Sequence, residues 1–199
     1  MDWLLIIVLL PLLAAAAVGF VPGSQRRVIR GITLGASGLA LLCALIAFCT
    51  FKVGGGLQFE TKVVWVESLG LHFHLAADGI NIGIILMGAI VAFAASCCAD
   101  DITHRVKEFH VLLNLMIGGI LGTFASMDLF FFYFFHELAL VPTFIMIGVW
   151  GRGKNRDYAA YKITLYLSLR ALIALAGLIL LYLEFETFSL LGMLDHMHT

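Results

Sequence analysis

Long apolar runs separated by short polar segments set the pattern of this chain. Six of them fall at 3–21, 29–51, 79–99, 110–126, 129–150 and 161–183. Each spans or approaches the roughly 20 residues that cross a hydrocarbon core. In lipid a backbone N–H or C=O finds no water, so each run should fold as a helix that satisfies its own ladder. The pattern therefore predicts an all-α fold, a polytopic bundle of six membrane helices in a single membrane domain over 1–199. The tightest turn joins the fourth and fifth helices, where only Ser126 and Asp128 mark the break. The first run ends in "AAAAVGFVPG", whose small residues suit a cleavage site. Asp2, the lack of a basic residue before the run and the run's length read instead as a span. Between the second and third runs, the alternation of Phe59, Glu60, Thr61, Lys62 and Val63 predicts a short hairpin or an interfacial segment.

Charge then gives the bundle a direction. The chain has 199 residues, 62% of them hydrophobic and 13% charged, against about 25% charged in soluble domains. Of its 12 basic residues, Arg26, Arg27 and Arg30 lie at the first loop, and Arg105 and Lys107 at the third. Arg152, Lys154, Arg156 and Lys162 lie at or just after the fifth. Lys52 and Lys62 are spread over the long second loop, and Arg170 is inside the last helix. Basic loops stay cytoplasmic, so the odd loops should face the cytoplasm and both termini the opposite side. A net charge of −1 with no basic stripe excludes nucleic acid as a partner; the lipid bilayer is the expected one.

Metal and thiol chemistry find little support. Cys43, Cys49, Cys97 and Cys98 lack C-x-x-C spacing and read as small hydrophobes in apolar surroundings. His72 and His74 share one face of a strand, and His196 and His198 repeat that spacing in the tail. With no further ligand cluster, they read as solvated loop histidines. No nucleophile–base pair or phosphate-cradling loop is present.

Within the runs, small residues mark helix contacts. Asn114, Gly118, Gly122 and Ser126 form one stripe of the fourth helix. Gly31 with Gly35, and Ala174 with Gly177, suggest the same device on the second and sixth.

Glu137 does not fit that bland pattern. It lies nine residues into the fifth helix, roughly 13 Å along the axis and near the membrane midplane. A charge there costs about 2.5–3.5 kcal/mol on insertion scales, so it should face protein or a hydrated cavity. Desolvation favours its acid form and a nearby cation its carboxylate, which suits a group that loads and releases protons. Pro142 removes the amide that would bond back to the Leu138 carbonyl, leaving room for a kink and a wet pocket. Arg170 is at a comparable depth on the sixth helix and is the candidate partner. His136 points about 100° from Glu137, so it is expected on another face, in a packing or proton-handling role.

The stretch at 127–151, "MDLFFFYFFHELALVPTFIMIGVWG", followed by "DYAAYKITLY" at 157–166, resembles the subunit M (chain 4) family of NADH-quinone oxidoreductase, respiratory complex I. "LLIIVLLPLL", "AADGINI" and "GILGTFASMDLF" resemble their counterparts in that antiporter-like family. The resemblance covers essentially the whole chain and corresponds to the N-terminal portion of a longer family fold. It implies an energy-transducing inner membrane or bacterial plasma membrane, and proton translocation driven by electron transfer in other subunits. Glu137 then matches the family's proton-relay glutamate, with Arg170, His136, Lys162 and Pro142 as supporting candidates. NADH, flavin, iron–sulfur clusters and quinone are expected in partner subunits, and no cofactor or catalytic redox centre in this chain. Other membrane-arm subunits are the implied partners. A second chain supplying the family's later helices is a further one if this is a fragment or a split subunit. Arg170 stands where the family has a small uncharged residue, either holding Glu137 ionised or replacing a lysine of those later helices. Cation/proton antiporter and membrane-hydrogenase subunits share the helix-five glutamate and are alternatives. A structural membrane subunit without transport is a third.

Overall fold

In the computed structural model, residues 2–66, 71–151, 153, 155–185 and 187–193 are described; His196 and His198 lie outside them. The chain runs α1 (Trp3–Phe20), α2 (Arg26–Thr50), β1 (Gln58–Val66), β2 (Leu71–Ala77), α3 (Asn81–Cys98), α4 (Val106–Ala125), α5 (Leu129–Trp150) and α6 (Arg156–Phe185). All six helices are long and apolar enough to cross a membrane. Three begin earlier than the apolar runs suggest, α2 by taking in Arg26 and Arg27. Helix α4 takes in Lys107 and Glu108, and α6 takes in Asp157 as well as Lys162. Their first turns carry polar side chains because a helix can continue past the hydrocarbon into the headgroup layer, where charge is cheap.

Helix α4 is the hub. Of the positions in its most apolar stretch, 56% are buried, against 6% in α6. Helix α1 packs on α4 and α2, α3 on α2 and α4, and α5 on α4; α6 is held chiefly by α5. Three glycines of α4 permit the close approaches. A Cβ on Gly118 would lie 2.5 Å from the Leu12 side chain of α1, and one on Gly122 would lie 2.6 Å from the Phe135 ring. At Gly119 it would meet the α5 backbone itself, 2.8 Å from both the Phe135 oxygen and the Ala139 nitrogen. Asn114, fully buried, donates through Nδ2 to Thr33 Oγ1 of α2 at 2.9 Å. The small residues of α2 and α6 do not act alike: Gly31, Gly35 and Gly177 have nothing within 4 Å. Their stripes face outward, contrary to expectation.

At one end of the bundle the antiparallel β1–β2 hairpin, with Lys62 opposite His74 and Val64 opposite His72, closes over the α4–α5 turn. The Met127 N–H donates to the His74 carbonyl, the Leu129 N–H to that of Phe188, and the Leu190 N–H to that of Met127. Asp128 is central here and 1% exposed. Its Oδ1 accepts from the Phe130 and Phe131 N–H groups at 2.9 and 3.3 Å, capping α5, and its Oδ2 accepts from the His72 N–H at 3.4 Å. Burial raises its carboxyl above the usual range, against the pull of those donors. Trp65 packs on Phe131 in a tilted arrangement and Phe73 meets it edge-to-face, with ring centroids 5.2 and 5.1 Å apart. His74 is not a solvated loop residue: it is 2% exposed, with Nε2 at 2.9 Å from Glu60 Oε1. The strand turns it under the hairpin.

The opposite end gathers Arg26, Arg27, Arg30 and Arg105. Arg30 pairs with Asp100 after α3, and the Trp150 indole donates to the His104 carbonyl at 2.8 Å. Of the cysteines, only Cys43 is buried; Cys49, Cys97 and Cys98 are exposed on the helices. An apolar thiol fits lipid as well as core, so burial was not dictated by its polarity.

Candidate functional site

Helix α5 is fixed before it reaches the acid. Asp128 caps it, the aromatic collar of Trp65, Phe73, Phe131 and Phe135 grips its first two turns, and Gly119 and Gly122 seat it against α4. The helix runs unbroken through Pro142, which is buried. The Thr143 hydroxyl donates to the Ala139 carbonyl at 2.9 Å in the same turn, a local bond often found where a helix bends.

Tyr133, Glu137, Val141 and Phe144 recur at helical spacing and face α6. With Thr164, Ser168 and their neighbours on α6 they line a cleft of about 350 Å³. The Glu137 side chain is 30% exposed and opens into this cleft, which is apolar except for Tyr133, Glu137, Thr164 and Ser168. One turn away, the Tyr133 hydroxyl donates to the Ala171 carbonyl at 3.3 Å and ties α5 to α6.

The charged partner is arranged differently from expectation. Arg170 makes no direct ion pair with Glu137. Its Nη2 lies 2.6 Å from His136 Nε2, and His136 Nδ1 lies 3.3 Å from Glu137 Oε1. The imidazole thus sits between cation and carboxyl. Adjacent helix residues leave the axis about 100° apart, but a histidine at the edge of the α5–α6 contact swings both ring nitrogens into that gap. Lys162 is not brought in: its Nζ lies 5.7 Å from the Tyr158 ring centroid, two turns before Arg170. Among the described residues no group of three or more metal-ligating side chains forms. The arrangement is a carboxyl in a cleft, with one titratable neighbour and one fixed cation behind it. That suits proton loading better than metal binding.

Residues 126–198, beginning at the α4–α5 turn, match the family described as NADH:quinone oxidoreductase/Mrp antiporter, transmembrane. The chain is 35% identical to the NAD(P)H-quinone oxidoreductase chain 4, chloroplastic, of Angiopteris evecta, over 89% of its own length and 36% of that protein. It superposes with a TM-score of 0.81 and 28% identity on respiratory complex I from Thermus thermophilus, covering 98% of this chain and 39% of the other. The Mrp complex from Dietzia shares the fold, at a TM-score of 0.76 and 16% identity over 94% of this chain and 20% of that one. The chain therefore spans little more than a third of the length of the chain 4 relative.

Proposed function

We propose that this chain, homologous to chain 4 of the NAD(P)H-quinone oxidoreductases, is a membrane-arm subunit, or part of one, of a proton-translocating NADH:quinone oxidoreductase, with Glu137 as a proton-carrying group. The observation that carries this reading is the placement of Glu137: deep in α5, turned into the α5–α6 cleft, and linked through His136 to Arg170. An intramembrane ionisable group is costly, so it is kept where charge or protons move.

The reading assigns electron transfer, and the NADH, flavin, iron–sulfur and quinone sites, to partner subunits. It places the chain in an energy-transducing membrane, the Arg26–Arg30 end toward the cytoplasm or its equivalent and the hairpin end away from it. The open side of α6 would receive further membrane helices, from the same subunit or a second chain. The fold shared with an Mrp complex supports a cation/proton antiporter subunit as the second reading. A membrane-hydrogenase subunit would use Glu137 in the same way.

Glu137→Gln in the assembled complex tests the role of the acid. Loss of proton transport with normal assembly supports the relay. A lower yield of assembled complex, with normal transport by whatever does assemble, would instead make the Glu137–His136–Arg170 chain a structural strut.

A further inference from the structure

We propose that His136 is the inlet through which a proton reaches Glu137, and that Arg170 holds that inlet shut until α6 shifts. This deepens the reading of Glu137 as a proton carrier and rests on it.

Bond polarity carries the inference. A guanidinium has only donors and keeps its charge in proteins. Since Arg170 Nη2 is 2.6 Å from His136 Nε2, that ring nitrogen must accept and bears no proton. The single proton of the neutral imidazole then sits on Nδ1, 3.3 Å from Glu137 Oε1, and is aimed at the carboxyl. A doubly protonated ring has donors at both nitrogens and could not make the Arg170 contact. While Arg170 is seated, His136 takes no second proton.

Release of Arg170 reverses this. With Arg170 gone, Nε2 is open on the exposed side of the α5–α6 contact, where a hydronium gives it a proton and leaves as water, breaking one O–H bond and forming one N–H bond. The ring passes its Nδ1 proton to Glu137 Oε1, breaking one N–H bond and forming one O–H bond. Glu137 is then the neutral acid and His136 the neutral Nε2–H tautomer. That tautomer offers Arg170 no lone pair, so the guanidinium reseats only after the ring returns to its Nδ1–H form. One proton is admitted per opening.

Helix α6 is suited to the motion. Few of its positions are buried, and beside the Arg170–His136 contact itself the Tyr133–Ala171 bond is a second polar tie to α5. Of the other titratable groups, Tyr133 on α5 and Tyr166 on α6 lie one turn from His136 and from Arg170 respectively, and the rest lie farther off. On α5, Tyr133 binds α6. On α6, Lys162 is eight residues from Arg170, roughly 12 Å along the axis. On α4, Lys107, Glu108 and His110 occupy the first turns, while His136 lies at the level of Gly119 and Gly122, roughly 15 Å farther on. His72 and His74 of β2 adjoin the α5 start at Asp128, roughly 12 Å from His136.

The test is solid-state nitrogen NMR of the full chain in its complex, labelled with [15N]histidine and reconstituted in vesicles. His136→Gln identifies the resonances. In the unmodified protein His136 should show a bare Nε2 and a protonated Nδ1. Arg170→Met, which removes the donor, should convert it to the Nε2–H form, whereas Arg170→Lys, which restores a cationic donor, should keep Nε2 bare. An Nε2–H ring in the unmodified protein, or a tautomer unchanged in Arg170→Met, would overturn the proposal. The unmodified spectrum can do so alone, so a variant that fails to fold does not protect the idea. The spectra also separate the two readings. If Glu137→Gln transports normally, the proton-carrier reading falls whatever the tautomer. If Glu137→Gln blocks transport but Arg170→Met leaves the ring unchanged, only the gate falls.

Discussion

Glu137 was legible in the sequence because lipid makes the location of a charge informative. A carboxyl nine residues into an apolar run must be paid for by function or partnership. Its depth followed from the helical rise, but the contacts around it did not. Rise fixes height along an axis, whereas rotation of two helices about each other depends on packing that no single sequence prints. Hence Arg170 was expected on Glu137 and is found on His136. Asp128 was readable as a break and under-read as a cap, although an Asp directly before an apolar run is a helix-start signal. Asp128→Ala should destabilise the fold by about 1 kcal/mol or somewhat more, the usual range for a lost cap, read by denaturant titration in detergent. Its pH dependence has a definite sign. A carboxyl whose folded value is raised contributes stability that is full below the ordinary carboxylate range and is lost as pH rises through the raised value. Acidification across that window should therefore tighten the unmodified fold, and Asp128→Asn should flatten the response.

At the scale of elements, the six spans were written plainly, since a bilayer accepts few solutions for so much apolar backbone. The hairpin, too, was marked by alternation. Which small-residue stripes make contacts was not, because lipid tails and neighbouring helices are equally apolar and either suits glycine. The geometry separates them. Gly119→Ala and Gly122→Ala should each cost about 1–3 kcal/mol by overpacking, Gly119 the more stubbornly because α5 backbone stands in the way. Gly35→Ala and Gly177→Ala, with open space at the Cβ, should be neutral or gain several tenths of a kcal/mol from helix propensity. Thermal or SDS unfolding of the four variants side by side would decide it. Asn114→Leu should weaken the α2–α4 contact by about 0.6 kcal/mol, the typical worth of a hydrogen bond between membrane helices.

For the whole molecule, the ends differ in charge as well as in structure. The hairpin, the α4–α5 turn and the residues after α6 form one cap, tied through Asp128; the arginines of the first and third loops mark the other. If basic loops face the cytoplasm, a cysteine at exposed Val53, in a background lacking the native thiols, should react with an impermeant reagent from the non-cytoplasmic side, and one at Gln25 should not. Labelling of Gln25→Cys alone would invert the topology. The sequence conveyed this polarity because lysine and arginine counts need no geometry. The uneven burial of the helices, with α6 resting on α5, emerged only in three dimensions.

The decisive measurement is the number of protons moved per electron pair by the complex carrying Glu137→Gln, assembled and reconstituted in sealed vesicles. Proton carriage by Glu137 predicts a clear fall in that ratio, while Glu137→Asp keeps part of it. An unchanged ratio in a fully assembled Glu137→Gln complex would contradict it.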